Sequence, residues 1–386
     1  MADIGVVHAS IDAGGGAEAV GAHAVAALAD AGHRMTLYTT DTLDLAALSE
    51  RYDAAIPNAV ETRVVASPVL DAVDWAAVAA APLGVSDFPL LRKTAFERLV
   101  ARRYQSEHDA LVCTHGEFAI GDAVEYVHFP YFSADAMRRY DTRFEESLYP
   151  PYHRVCRALK RRDSENGVRT LTNSEWTASV VNEMLGRDAE VLYPPVDTAA
   201  FDPPPWDDME SGFVSLGRLH PLKRQHELIE LVDAVREAGV ETHLHIVGPT
   251  GDEAYTERLH ELAASRPYVT LDGRLPREDV VSLLESHRYG LHARRFEHYG
   301  IAVAEMVAAG SLPFVHDSGG QREVVGEIDG LLYDDREDAT EKLLEALRSP
   351  DRQQRLRNEL ANRGQPGGRE QFRDGLVATV ESHLDR

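Results

Sequence analysis

Residues 293–320 read A-R-R-F-E-H-Y-G-I-A-V-A-E-M-V-A-A-G-S-L-P-F-V-H-D-S-G-G. The apolar run Ile301–Ala309 has the length of a short buried helix, and Gly310 follows where a helix C-terminus favours glycine. Tyr289–Arg294 ahead of it and Ser311–His316 behind it read as strands. A strand–loop–helix–strand order belongs to a parallel sheet. The loop then lies at the carboxyl edge, where α/β proteins bind their ligands.

Glu297 and Glu305 bracket the start of that helix. Eight residues of helical path cover about 12 Å, which is the reach from a sugar ring to a ribose across a diphosphate. Each carboxylate accepts hydrogen bonds from a vicinal diol. The amides near Tyr299, Gly300 and Ile301 are free to meet phosphate oxygens, helped by the helix dipole. In an acidic chain, two glutamates at this spacing also describe an ordinary surface helix. His298-Tyr299-Gly300 and Ser318-Gly319-Gly320 make the pattern specific, and it suits a nucleotide-sugar.

Other segments add to this reading. Phe213–Leu219 reads as a strand with Gly217 near its end. Arg218 closes it and Lys223 opens the next helix, so both cations can converge on one phosphate group. Thr242–Gly248 is a strand ending in I-V-G-P, and Arg274 in Gly273-Arg274-Leu275 is placed beside the base. Near the start, strand Asp3–His8 leads to Gly14-Gly15-Gly16. Consecutive glycines let backbone approach a ligand and expose amides at a helix start, although a plain strand-to-helix turn accounts for them equally well. His128 ends a strand in V-H-F-P and can reach a sugar hydroxyl in a cleft between domains. His115, in C-T-H-G-E, is its rival. Asn173-Ser174-Glu175 caps a helix, and the proline-rich stretch Asp202–Trp206 reads as a linker. The expected domains are 1–200 and 201–365, each a β-α alternation built on a parallel sheet.

The stretch that opens this section resembles the donor-binding signature of the family 4 retaining glycosyltransferases, which have the GT-B fold: two Rossmann-like domains facing a central cleft. Its E-H-Y-G-I-x-V-x-E…A-A-G…H-D-S-G-G wording is most similar to the ALG11-like α-1,2-mannosyltransferases that use GDP-mannose. N-S-x-x-T, Y-P-P-V-D and G-R-L-x₃-K match as well. The resemblance implies a donor site of Gly15, Gly16, Gly217, Arg218, Lys223, Gly248, Arg274, Glu297, His298, Tyr299, Gly300, Ile301 and Glu305. It implies catalytic roles for His128, Arg218, Lys223 and Glu297. Arg218 and Lys223 would bind the diphosphate, Glu297 the sugar and Glu305 the ribose. It further implies a glycan or lipid-linked acceptor and a terminal helix within 366–386 that crosses back to the first domain. No D-x-D motif ends a strand in a donor-binding context, and Arg218 and Lys223 can do a metal's electrostatic task, so transfer without a metal or cofactor is expected. Tyr299 and Ala302 stand where that wording commonly has Phe and Gly, which keeps UDP-hexose donors open. A phosphorylase or epimerase on the same fold and a non-catalytic nucleotide-sugar sensor are the other readings. Lys342, in E-D-A-T-E-K, has no setting for pyridoxal phosphate.

Composition excludes other classes. The 386 residues suffice for two domains. Two cysteines, Cys113 and Cys156, make neither a disulfide framework nor a metal cluster. The formal charge is −24, from 64 acidic against 40 basic residues, and only Lys93, Lys160, Lys223 and Lys342 are lysines. Such a surface argues against nucleic acid as partner and fits a salt-rich, halophilic cytoplasm that screens self-repulsion. With neither a signal-peptide pattern nor an apolar run of about 18 residues, a cytoplasmic protein is expected. Arginines of 131–162 would form a basic rim that touches the inner membrane face, or a solvated helix neutralised by Glu145 and Glu146.

Overall fold

A computed structural model describes every residue except 13, 81–87, 119–120, 142–148, 161–166 and 365. The chain divides into two compact units, Met1–Pro195 with Arg369–Arg386, and Val196–Gly368.

The first unit is built on seven parallel strands: β1 (Asp3–Val7), β2 (Arg34–Thr39), β3 (Glu61–Val64), β4 (Ala110–Cys113), β5 (Val124–Val127), β6 (Arg169–Thr172) and β7 (Glu190–Val191). Their order is β3-β2-β1-β4-β5-β6-β7. The central strands are short continuous apolar runs because helices cover both faces. Glu125, in β5, is the exception and is wholly buried. Its carboxylate accepts from the Phe118 amide at 2.7 Å and the Thr170 hydroxyl at 2.8 Å, and pairs with Arg187 at 3.3 Å. Those partners offset the desolvation of the charge.

The last helix, Arg369–Leu384, belongs to this unit although it follows the second in sequence. Phe372, Leu376 and Val380 bury beside Ile4, Val20 and Leu28. Gly375 leaves room for Leu192, which a Cβ would meet at 2.6 Å.

The second unit has six parallel strands: β8 (Glu210–Leu216), β9 (Leu244–Val247), β10 (Val269–Gly273), β11 (His287–His292), β12 (Leu312–His316) and β13 (Leu332–Tyr333), ordered β10-β9-β8-β11-β12-β13. Both sheets thus run outward from their first strand in two directions. The strand order reverses between β1 and β4 in one and between β8 and β11 in the other. In doubly wound sheets the crevice at that reversal, at the carboxyl ends of the strands, is where ligands bind.

The stretch 202–206, expected as a linker, is held inside the second unit. Phe201 packs into its core. Trp206 is buried, donates from its indole nitrogen to Gln353 at 3.2 Å, and packs edge-on to Tyr289. The units therefore divide a few residues earlier, after Pro195.

Lys160 lies in the stretch expected to form the basic rim, but its side chain turns inward. Its ammonium meets the Glu97 carboxylate and the Glu117 carbonyl and lies 4.5 Å from the Phe132 ring. Arg138 pairs with Asp135, and Arg139 with Glu183. Arg154 and Arg157 are exposed on the helix Tyr149–Lys160, while Glu145, Glu146, Arg161 and Arg162 fall outside the described residues. No described helix is long and apolar enough to cross a membrane.

Removing one member of a buried ion pair strands the other charge. Lys160→Met is therefore expected to cost about 3–5 kcal/mol in urea unfolding, and adding Glu97→Leu should recover most of it. A single variant as stable as the parent would show that the pair does not hold this unit together.

Candidate functional site

At the reversal point of the second unit, the end of β8 meets the end of β9 through two glycines. Gly217 and Gly248 have φ of 146° and 155°, and a Cβ on Gly248 would lie 2.1 Å from the Gly217 carbonyl oxygen. That close approach lets the loop after β8 fold across the sheet edge. Lys223 does not open the following helix as expected. It ends a single turn, Pro221–Lys223, and Arg224 then takes a left-handed conformation before the helix starts at Gln225.

The turn delivers the Lys223 ammonium to Glu297, 2.6 Å from Oε2. His292, the last residue of β11, stands 3.2 Å from the same oxygen, and Arg294 stands 3.3 Å from Oε1. Burial alone would raise the Glu297 carboxyl; Arg294, Lys223 and the His292 hydrogen bond outweigh it and hold the group well below the usual carboxylate range. Burial lowers Lys223 from its ordinary value, with Glu297 opposing. Arg218 is exposed beside them, and its guanidinium has no carboxylate partner among the described residues. Arg274, past the end of β10, is likewise exposed and unpaired among them.

The loop carrying Glu297 is not helical, so the 12 Å helical path assumed between the two glutamates holds only from residue 301 onward. Phe296 and Gly300 have φ of 52° and 103°. Glu297 instead forms a single bridge with Gly319, whose own φ is 75° and where a Cβ would stand 2.3 Å from the Glu297 carbonyl oxygen. The Gly320 amide donates to that carbonyl, and the Ser318 hydroxyl accepts from the Phe296 amide. The helix Ile301–Ala308 begins after Gly300 with no side chain capping it. Its first amides are directed to the same edge, and they suit an anion.

Glu305 sits one turn into the helix, partly buried, with Arg277 on its Oε1 at 2.6 Å. Burial raises its carboxyl and Arg277 opposes the rise. Tyr299, expected on the donor, is buried, and its hydroxyl donates to the Pro366 carbonyl. Only its backbone can serve a ligand. His292 and Arg294 are not among the residues expected at the site from the sequence. Arg294 lay inside the quoted stretch, three residues from Glu297, a spacing that could have exposed the pair.

The first unit carries a second polar site at its own reversal point. A cavity of about 500 Å³ is lined by His8 and Ser10 after β1, by Lys93, by His115 after β4, and by Glu18 two residues into the helix that Gly15 and Gly16 start. The His115 ring nitrogens lie 3.0 Å from the Val7 carbonyl and 3.0 Å from Glu97. His128, just past β5, donates from Nε2 to the Thr114 carbonyl at 2.9 Å and does not line this cavity. Burial, aided by Lys93, pushes His115 down to about 4 against Glu97; burial pushes His128 down to about 4. Glu97 would be raised by burial, but Lys160, His115 and Lys93 hold it at about 2. Lys93 and Lys160 are two of only four lysines.

Residues 197–363 match the Glycosyl transferases group 1 family. The chain is 25% identical over 240 residues to the Caenorhabditis elegans GDP-Man:Man(3)GlcNAc(2)-PP-Dol alpha-1,2-mannosyltransferase, covering 54% of this chain and 51% of that one. Against the protein of the same name from Homo sapiens the identity is 28% over 199 residues, covering 46% and 40%. The matches thus span about half the length of these curated relatives, or less. Among solved structures, Anabaena Alr3699/HepE in complex with UDP and glucose superposes with a TM-score of 0.69 at 16% identity, covering 99% of this chain and all of that one. WaaG, a glycosyltransferase involved in lipopolysaccharide biosynthesis, gives 0.69 at 14%, covering 99% and 98%.

Gly319→Ala places a methyl group against the Glu297 backbone in a left-handed conformation, and is expected to destabilise the fold by more than about 1 kcal/mol. Urea unfolding checks it, and parental stability would mean that the loop relaxes freely. His115 and His128 titrate near 4 when folded and at about 6.5 when unfolded. The unfolded chain therefore binds more protons between those values, and stability falls as pH drops from 6.5 to 4. In His115→Gln/His128→Gln that slope should flatten; an unchanged slope would mean that neither imidazole is held neutral.

Proposed function

The chain has the GT-B fold and carries a Glycosyl transferases group 1 domain over residues 197–363, and from that premise we propose that it moves a hexose, in the first instance mannose, from a nucleotide-sugar to a glycan or lipid-linked acceptor with retention of anomeric configuration. The observation that carries this reading is the Lys223–Glu297 pair at the carboxyl edge, beside the uncapped helix start at Ile301 and Arg218, which is unpaired among the described residues. These groups fit the three parts of such a donor. Glu297 accepts hydrogen bonds from sugar hydroxyls, the cations and amides meet the diphosphate, and Glu305 accepts from the ribose.

In this mechanism the acceptor hydroxyl attacks the anomeric carbon on the face from which the nucleotide leaves. The glycosidic C–O bond forms as the C–O bond to phosphate breaks, and a phosphate oxygen takes the hydroxyl proton. Lys223 and Arg218 carry the negative charge that builds on the leaving diphosphate, the task a metal ion performs elsewhere. Glu297 keeps the Lys223 ammonium pointed at the phosphate. His128, neutral above pH 5, acts as a hydrogen-bonding group to the sugar or acceptor rather than as a cation. Mannose and the lipid-linked acceptor are drawn from the names of the curated relatives. A UDP-hexose donor is the second reading, favoured by the neighbour with UDP and glucose.

Thermal unfolding with GDP-, UDP- and ADP-sugars tests the donor. A ligand at 100 times its Kd adds about 2.7 kcal/mol, so the true donor should raise the midpoint clearly. A shift with GDP-mannose alone supports mannose transfer, a shift with UDP compounds alone replaces the sugar, and no shift with any of them sinks the donor site. Lys223→Ala should lower kcat by about 10²–10³ with little change in KM; turnover at the parental rate would remove Lys223 from the reaction.

A further inference from the structure

At the other end of the second sheet, three histidines converge. His243 immediately precedes β9, His245 lies within it, and His287 opens β11. Residues two apart on a strand face the same way, so the His243 and His245 rings share a face of the sheet. β8 runs between β9 and β11 and would ordinarily keep the two sets of side chains apart. It carries glycine at 212, where a Cβ would stand 2.2 Å from His243 Nε2 and 2.4 Å from Cε1. The missing side chain is the space through which the imidazole reaches across β8. The ring centroids lie 5.5, 5.1 and 5.1 Å apart, and a ring nitrogen from each of the three lies within 4.8 Å of the others.

The hydrogen bonds around the cluster aim its lone pairs inward. His287 Nδ1 lies 2.8 Å from the Leu283 carbonyl, which can only accept. Nδ1 therefore carries the proton, and Nε2 offers its lone pair to His243 Nε2 at 2.9 Å. His245 Nδ1 stands 3.0 Å from Asp272 Oδ2, so its proton sits there too and its Nε2 is left as a donor atom. A carbonyl or carboxylate behind each imidazole is the support that metal-ligating histidines have. Glu210 adds a carboxylate 3.6 Å from His243 Nε2, within reach of a fourth position.

We propose that His243, His245 and His287 bind a borderline divalent cation, Zn²⁺ in the first instance. Nitrogen ligands at about 2.0–2.1 Å around a tetrahedral ion stand roughly 3.4 Å apart, so the 2.9 Å contact between His243 and His287 must open by about half an ångström. His243 moves its proton from Nε2 to Nδ1 as the ion enters, and the fourth position is left to water or Glu210. Imidazoles select zinc, nickel or copper over magnesium and calcium. The second group with suitable atoms, Glu97, Cys113 and His115, has Lys93 and Lys160 against it, and burial pushes the Cys113 thiol up to about 12, which disfavours the thiolate a metal needs. The histidine site lies at the amino edge of the sheet, while Lys223 and Glu297 leave from the carboxyl edge. The seven residues of β8 put roughly 20 Å between the two edges. The ion would tie β9, β8 and β11 together and take no part in sugar transfer.

The test is a titration of the chelator-treated full chain with Zn²⁺ at pH 7.5, with Co²⁺ as a spectroscopic probe. One equivalent should bind with a low-micromolar Kd or tighter, Co²⁺ should give the visible absorption of a tetrahedral site, and Zn²⁺ should raise the unfolding midpoint. His245→Asn and His287→Asn should each weaken binding at least tenfold, as should Gly212→Ala, which displaces the His243 ring. Asp272→Asn keeps every ligand and should weaken it about tenfold. Folding of each variant is checked without metal by its unfolding midpoint. Lys223→Ala should bind Zn²⁺ like the parent, so that a failure of the donor site leaves this result standing. Absence of saturable binding would overturn the proposal, and so would undiminished affinity in folded His245→Asn, since the ion would then sit elsewhere among the 17 histidines.

Discussion

A carboxylate sunk to 8% exposure needs opposite charge around it, and in this protein that requirement organises the carboxyl edge of the second unit. Glu297 can be ionised there because Lys223, Arg294 and His292 arrive from two different strands. Their arrival depends on backbone that only glycine can supply. Gly217 and Gly248 abut so that the Lys223 loop can cross the sheet end, and Gly319 lies against the Glu297 peptide. The ion pair and the close backbone approaches are one device: the glycines permit the loops to meet, and the charges make the meeting favourable.

The first unit solves a similar problem with different residues. Glu97 is wholly buried, and Lys160 reaches it from a helix 63 residues later in the chain. Around the pair lie Lys93, His115 and the cavity at the end of β1 and β4. Both doubly wound sheets thus gather buried charge where their strand order reverses. The lysines show how selectively this is done. In a chain of net charge −24, three of four lysines are at these two places, and Lys342 pairs with Asp338 and Asp329. An ammonium that reaches inward is specialised use of a scarce residue, because a generic acidic surface would be served as well by any cation.

The terminal helix shows what holds a doubly wound unit closed. Phe372, Leu376 and Val380 complete a core that the first 195 residues leave open, and Arg373 and Arg369 pair with Asp30 and Asp53 at its margins. The apolar contacts supply the burial, while the exposed pairs at the rim add little.

Sequence periodicity was enough to identify two parallel-sheet units and the strands around residues 289–316, while the ion pair between Lys223 and Glu297 was not legible in it. Continuous apolar runs bounded by glycine report local geometry, and local geometry is what short-range sequence encodes. Partners distant in the chain were decided only by the tertiary structure. The burial of Lys160 on Glu97 depends on two helices packing together, the turning of Tyr299 to Pro366 on two loops meeting, and the exclusion of His128 from the cavity that His115 lines and the meeting of His243 with His287 across Gly212 on which strands become neighbours. Tertiary packing places residues 40 to 70 positions apart within hydrogen-bonding distance, and no window of sequence contains both.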